Sequence, residues 1–567
     1  MDRDRHLKPS EKSNNGMLAT WLIIISLVIL GIVYCLPLFF TDGIHKVDDT
    51  TFHVGRLVGL SNVFTSPVNF NSFGNNGLMV NIFYPWLTMY PMYILYKLTG
   101  SYVLGYKLYY VLLSVVTMLL SYWSMLKITK NKAGAYVFAI IYAFSSYRFA
   151  DVFNRAALGE SIALAFLPLV LLGIYKICFE NYKEWRKLAA GMTLLAYSHM
   201  LSLVMATAFT GVLFLIAIIT QDNRGKRFVS MVKAACLSLA LSAAMIVPMA
   251  EQMLKNDLFT PSGDGGTMSK SAYSLAEIIK FTVINNPAGR GVGAMSLAAF
   301  LMTIVLLICG IILHGRFTTD DKFVIWLLLI GIVMFVATAD ILPWHYLGDN
   351  TPLSTIQFVW RMNAYPTLAF AAAFSILLSK AMSSDRKNVI ILITIVTLAF
   401  AGVQYYTLYA RNAEIVSHDR IAEEDVATWA SGNVDYTPYQ AWEYREEHSD
   451  NMQYMYIDGK EIAKSPVTKE SGTYYVQDLG GSGKDRTADI PVFKFYGEKV
   501  LLNEEAVESD LSARGTTEVK VPRSKEAVVT ISYAYTTLAR ASWAFSIIIL
   551  ILSIIVAMRA KPEKQEG

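Results

Sequence analysis

The sequence predicts an α-helical polytopic membrane protein of about 12 transmembrane helices, with both termini cytoplasmic and a smaller, mostly β extracytoplasmic domain before the last helix. Three observations predict it. Of 567 residues, 54% are hydrophobic and 17% charged, with mean hydropathy +0.40; a water-soluble chain carries about a quarter charged residues. Apolar runs long enough to cross about 30 Å of hydrocarbon recur along the whole chain. The basic residues between those runs fall on one side of the membrane when the runs are threaded in order.

The runs lie near 18–40, 103–126, 160–179, 200–220, 228–250, 293–313, 323–340, 388–409 and 543–558, with shorter ones at 134–147, 187–198 and 364–379. The first follows a polar stretch of mixed charge and has no small-residue cleavage site, so it reads as a retained helix rather than a removed signal peptide. The stretch 79–98, within the run NIFYPWLTMYPMYILYKLTG that occupies 81–100, holds Pro85 and Pro91 among many aromatics. If they spanned, every later basic loop would be inverted. As an interfacial helix on the outer side they leave Lys127/Lys130/Lys132, Lys183/Arg186/Lys187, Arg224/Lys226/Arg227, Arg316/Lys322, Lys380/Arg386/Lys387 and Arg559/Lys561/Lys564 inside. The outer segments are then about 41–102, 148–159, 251–292, 341–363 and 410–540.

The last of these has the size of a small domain. Val519 and Val521, then Val529, Ile531 and Tyr533, alternate as strands do, and PVFKFYGEKVLL (491–502) favours strand; a polar, helix-compatible stretch precedes them near 419–430. The expected division is a transmembrane domain over 1–409, with chemistry on outer loops 41–102 and 148–159, a β-rich domain over 410–540, and a final helix and tail over 541–567. GGSGKDRT (480–487) is a turn and not a phosphate loop: the glycine spacing is wrong, and Asp485 stands where Ser or Thr is needed. The net charge of +4 does not suggest nucleic acid, and Cys35, Cys178, Cys236 and Cys309 have neither disulfide nor metal-site spacing.

Ionisable residues gather at the outer surface in four places. KVDDTTFHVGR (46–56) holds Asp48, Asp49, His53 and Arg56; YRFADVFNRAALGE (147–160) holds Arg148, Asp151, Arg155 and Glu160; His199 sits where an apolar stretch turns; IQFVWRMNAYP (356–366) holds Gln357 and Arg361. Each has an ordinary reading by itself: a solvated loop, an arginine snorkelling to headgroups, an acid at a helix start. Together they place carboxylates and cations from separate loops on one side. That suits group transfer from a phosphate-linked lipid. Asp48, Asp49 and Glu160 are the candidate catalytic carboxylates, one taking the proton of an acceptor hydroxyl. Arg148, Arg155, Arg361, His53 and His199 are the candidate donor-phosphate ligands. A divalent cation, Mg2+ or Mn2+, is an option on Asp49 and Glu160. No nucleotide supply is expected outside, which favours a lipid-linked donor.

These features resemble the GT-C glycosyltransferases, polytopic enzymes that use polyprenyl-phosphate sugars. Asp48-Asp49 match the acidic motif of that class's first outer loop, and FYPWLTMYP (83–91) with GSYVLGYKL (100–108) resembles the approach to its second span. SSYRFADVFNRAALGESIALAFLPLVLLG (145–173), YSHMLSL (197–203) and IQFVWRMNAYP (356–366) resemble a bacterial envelope branch sometimes labelled 6-pyruvoyl-tetrahydropterin-synthase-related membrane proteins; Val359 departs from a Pro often found there. The resemblance implies a multi-pass cell-membrane enzyme whose active site is extracytoplasmic. It would move a sugar from a polyprenyl-phosphate donor to an envelope polymer, such as a teichoic acid or polysaccharide, or to a lipid acceptor. The rival readings are a lipid-linked glycan flippase or transporter, for which midplane charges and a repeat would be expected, and a non-catalytic envelope scaffold.

Overall fold

A computed structural model describes residues 9–260, 267–314, 319–349, 351–381, 387–413, 419–426, 435–448, 452–462, 467–470, 472–477, 479, 484–522 and 527–559. Arg316, Arg386, Lys561 and Lys564 of the charge argument, and parts of 419–430 and 480–487, lie outside the described residues.

Among the described residues, eight helical stretches are long and apolar enough to cross a membrane: Met17–Phe39, Tyr102–Thr129, Leu158–Cys178, Met200–Thr220, Arg224–Lys255, Val359–Ala381, Asn388–Asn412 and Thr537–Arg559. Helices Lys132–Ala143, Arg186–Ala196, Ala294–His314 and Thr319–Ala337 fall on the other apolar runs. The first two have 12 and 11 residues. At 1.5 Å per residue they rise only about 17–18 Å, short of the hydrocarbon thickness by themselves. Residues 79–98 form no span: Val80–Phe83 and Tyr90–Thr99 are separate short helices, parted around Pro85.

Local chemistry sets the helix ends. The Ser101 side chain caps the Tyr102–Thr129 helix by accepting from the Leu104 N–H. Lys130 closes it in the left-handed region (φ +58), and the Asn131 side chain then accepts from the N–H groups of Ala133 and Gly134 to start the next helix. This tight turn is the reason two apolar helices can reverse within a few residues. The Leu158–Cys178 helix lies at the centre of the bundle, with every residue except Phe166 buried. It is approached by a capped turn, Ser146–Phe149, and a π turn, Ala150–Asn154, which ends at Arg155 and Ala156 (φ +50). Glu160 therefore enters the bundle core in that helix's first turn.

The β region holds two antiparallel five-stranded sheets. One runs Asp510–Leu511, Thr516–Val521, Arg486–Phe493, Met455–Ile457, Lys460–Ile462; the other runs Val467–Glu470, Thr473–Val476, Val529–Tyr533, Glu498–Leu502, Glu505–Ala506. The alternation in Val529–Tyr533 is seen as buried Val529, Ile531 and Tyr533 between half-buried neighbours. Their core is shared with Val68, Phe70 and Leu78 of the first outer segment, so loop and sheets bury one another. A short antiparallel pairing of Ile44–His45 with Arg420–Ile421 ties the start of that loop to the same part of the chain.

Candidate active site

The site is built on the Thr50–Gly59 helix. Asp49 stands just before it, and Asp49, His53 and Arg56 follow one another at helical spacing, on one face. The Asp49 N–H donates to the Arg155 carbonyl (2.9 Å), and the His53 N–H to the Asp49 carbonyl (3.1 Å), so the first loop is fastened to the segment before Glu160. His53 serves position: its Nε2 accepts from the Leu158 N–H at 3.1 Å and so caps the central helix, while its Nδ1 lies 3.4 Å from Arg56 Nη1.

Arg155 is the hub of a buried ion cluster. It donates to Asp151 Oδ1 (2.6 Å) and Glu160 Oε2 (3.2 Å), and its guanidinium lies 4.3 Å from the centre of the Trp360 ring. Glu160 Oε1 accepts from the Tyr147 hydroxyl, and Arg361 approaches Oε2 at 3.8 Å while donating to Gln357 Oε1 at 2.7 Å. Gln357 holds this place with φ +63, a position non-glycine residues rarely take and which costs roughly 1–3 kcal/mol.

These groups open on a cavity of about 510 Å³ lined by Asp49, His53, Arg56, Arg155, Glu160, His199, Gln357 and Arg361, with Phe52, Tyr84, Asp435 and Tyr436 on its other walls. Two lining groups stand apart. The Asp49 carboxylate has no hydrogen-bond partner among the described residues, and burial raises its pKa above the ordinary 3.8, with Arg155 and Arg361 pulling the other way. Arg56 is 1% exposed and has no acidic partner among the described residues. It donates to the Pro85 carbonyl (2.5 Å), lies against the Phe52 and Tyr84 rings, and leaves Nε without a partner; burial pushes it down to about 10. A buried cation without a counter-charge is costly, so the pocket favours an anionic occupant. Burial also lowers His53, and pushes His199 down to about 4 against the pull of Glu160. Both imidazoles are therefore neutral at neutral pH; His199 Nδ1 pairs with Ser202 Oγ at 2.9 Å.

Of the residues singled out from sequence, Asp49, His53, Arg155, Glu160, His199 and Arg361 come together here. Asp48 and Arg148 do not. Asp48 is exposed and outside the lining, because neighbouring side chains at the start of a helix point in different directions. Arg148 is buried elsewhere: it donates to the Ala143 carbonyl (3.0 Å) and Ser114 Oγ (2.7 Å) and stacks on Tyr34, locking two helices together. Both Glu160 oxygens are engaged, and among the described residues no group of three or more His, Cys, Asp or Glu side chains is placed around a metal. Sequence reasoning gave no role to Arg56, although its spacing from Asp49 and His53 would have found it. Asp435 and Tyr436 carried no local signal at all. They reach the pocket from some 380 residues away, Asp435 Oδ2 accepting from the Tyr84 hydroxyl (3.1 Å) and Tyr436 stacking on Phe83 (4.6 Å between ring centres).

No protein-family model matches the chain, and no curated protein matches it in sequence. Its fold is similar to the arabinofuranosyltransferase AftD from Mycobacteria (13% identity, TM-score 0.43, over 69% of this chain and 27% of that one). It is also similar to the oligosaccharyltransferase AglB from Archaeoglobus fulgidus, solved with an inhibitory peptide and a dolichol-phosphate (12% identity, TM-score 0.33, over 76% of this chain and 58% of that one). The chain thus spans about a quarter of AftD and little more than half of AglB. Both likenesses are distant.

Proposed function

We propose that the protein is a membrane glycosyltransferase that moves a sugar from a polyprenyl-phosphate donor to a hydroxyl of a cell-envelope acceptor. The observation that carries this is the pairing, in one pocket, of a carboxylate, Asp49, with a buried arginine, Arg56, the first without a hydrogen-bond partner and the second without an acidic one among the described residues. In this reading Asp49 takes the proton of the acceptor hydroxyl as its oxygen bonds to the anomeric carbon. The bond from that carbon to the lipid phosphate breaks, and the charge gathering on the phosphate is met by Arg56 and Arg361. Glu160 and Arg155 act through others: they hold Arg361 and the Asp49 backbone in place. The 12-span arrangement with cytoplasmic termini belongs to the same proposal and puts the pocket on the extracytoplasmic face.

The test uses the purified full chain in nanodiscs, a panel of labelled polyprenyl-phosphate sugars and an envelope extract as acceptor. Asp49→Asn is expected to lower transfer by about 10²–10⁴-fold, and Arg56→Gln to weaken use of the donor, with folding retained in both. Full activity of Asp49→Asn would remove the base, and with it the mechanism.

A further inference from the structure

A second cavity, of about 210 Å³, is lined in part by Thr41, Ile44, His45 and Val47, just ahead of Asp49 in the chain. Its polar lining includes Lys107, Arg420 and His45, its apolar lining includes Leu38, Phe153 and Tyr409, and no carboxylate side chain lines it. Lys107 is only 7% exposed, so its ammonium is not simply snorkelling into water. One of its three N–H donors is spent on the Thr41 carbonyl (2.7 Å). Among the described residues neither Lys107 nor Arg420 has an acidic side chain within 4 Å, although Asp42 is felt electrostatically by Lys107. His45 Nδ1 is buried with no partner, while Nε2 sits 3.3 Å from Thr41 Oγ1. Burial, and then the charges of Arg420 and Lys107, hold His45 below its ordinary value, so a neutral ring is available to donate. Three donors thus converge, with no carboxylate among the residues that line the cavity.

The setting says what kind of anion fits. The cavity opens where the Pro9–Cys35, Tyr102–Thr129 and Lys387–Ala413 helices end or begin, beside Leu36, Phe39 and Phe40, which are 42%, 40% and 68% exposed. We infer that this cavity is a second ligand site, taking a phosphate-bearing lipid with its headgroup on Lys107, Arg420 and His45 and its chains along the exposed apolar rim. Val47 and Ala156 also line it. They lie within two residues of Asp49 and Arg155, whose backbones are bonded to each other, so an occupant braces the segments that position the main pocket.

The test does not depend on what reaction the main pocket performs. The purified full chain is offered phosphatidylglycerol, diacylglycerol or inorganic phosphate, and retention is read by native mass spectrometry. Phosphatidylglycerol is expected to be retained and diacylglycerol not. Arg420→Gln, an exposed position that leaves the core intact, and Lys107→Gln are each expected to weaken retention about tenfold, the size of one lost charge-assisted hydrogen bond. Arg56→Gln, in the main pocket, is expected to leave it unchanged. Equal retention of diacylglycerol, or undiminished retention by Arg420→Gln, would overturn the site. Inorganic phosphate held as tightly as phosphatidylglycerol would overturn its assignment to a lipid, and loss of retention in Arg56→Gln would place the lipid in the main pocket instead.

Discussion

Asp49 is a carboxylate without a hydrogen-bond partner among the described residues, and burial holds it above its ordinary pKa. As a base it must be ionised, so transfer falls as pH drops through that raised value. The acid limb of kcat/KM is therefore expected above pH 3.8. His53 and His199 are both held low, His199 at about 4, so no limb is expected near 6.5; one that disappeared in His199→Ala would contradict this account. The same raised pKa means that folding favours the protonated form of Asp49, and its ionised form is a cost to the fold at neutral pH. Asp49→Asn should accordingly melt no lower than the parent while losing activity. Glu160→Gln behaves differently. It removes one charge from a buried cluster in which Arg155 and Arg361 face that carboxylate, and breaking such a set costs about 3–5 kcal/mol. A clear fall in thermal stability in detergent is expected alongside lost activity, and an unchanged melting temperature would show that the cluster is not structural.

At the scale of elements, the central helix reaches its position because glycines let backbones meet. A Cβ on Gly173 would lie 2.4 Å from the Leu188 backbone, and one on Gly191 would lie 2.8 Å from Val170, so Leu158–Cys178 and Arg186–Ala196 pack almost backbone to backbone. Gly173→Ala must push the two apart. A loss of about 1–3 kcal/mol is expected, with lower activity because Glu160 rides on the same helix. Gly211 is the control: nothing lies within 4 Å of its Cβ position, and Gly211→Ala should be neutral or stabilising by about 0.5–1 kcal/mol. Parallel thermal melts of the two variants decide between close packing and a general intolerance of glycine substitution.

Across the whole molecule, the β region is part of the site's architecture. Asn76 in the first outer segment donates to the carbonyls of Met452 (2.6 Å) and Pro491 (2.7 Å), and its own carbonyl accepts from the Phe493 N–H (2.8 Å). The Tyr535 hydroxyl donates to the Val63 carbonyl (2.6 Å). Tyr436, with φ +59, is pinned by backbone pairing of residues 436 and 437 with Phe259. Asn76→Ala strips two buried carbonyls of their donor, at about 1–3 kcal/mol each. Limited proteolysis should then cut within 410–540 faster than in the parent, with the apolar helices still protected; unchanged cleavage would mean that the apolar contacts alone hold the region.

Hydropathy and charge are local properties, so the chain by itself determined the apolar helices, the broken character of 79–98 around Pro85, and the strands over Thr516–Val521 and Val529–Tyr533; the single strand-favouring stretch 491–502 is divided between the end of Arg486–Phe493 and Glu498–Leu502. Local spacing also brought the first-loop acid and the Arg155–Glu160 segment into view together, since motif residues a few positions apart share a helix face or turn. Only the tertiary structure turned Asp49 and not Asp48 into the pocket, sent Arg148 into a helix contact, buried Arg56 with no acidic partner among the described residues, and recruited Asp435 and Tyr436. Those outcomes depend on side-chain direction and on partners hundreds of residues away. A sequence pattern carries periodicity and charge, but not which carboxylate finds which arginine.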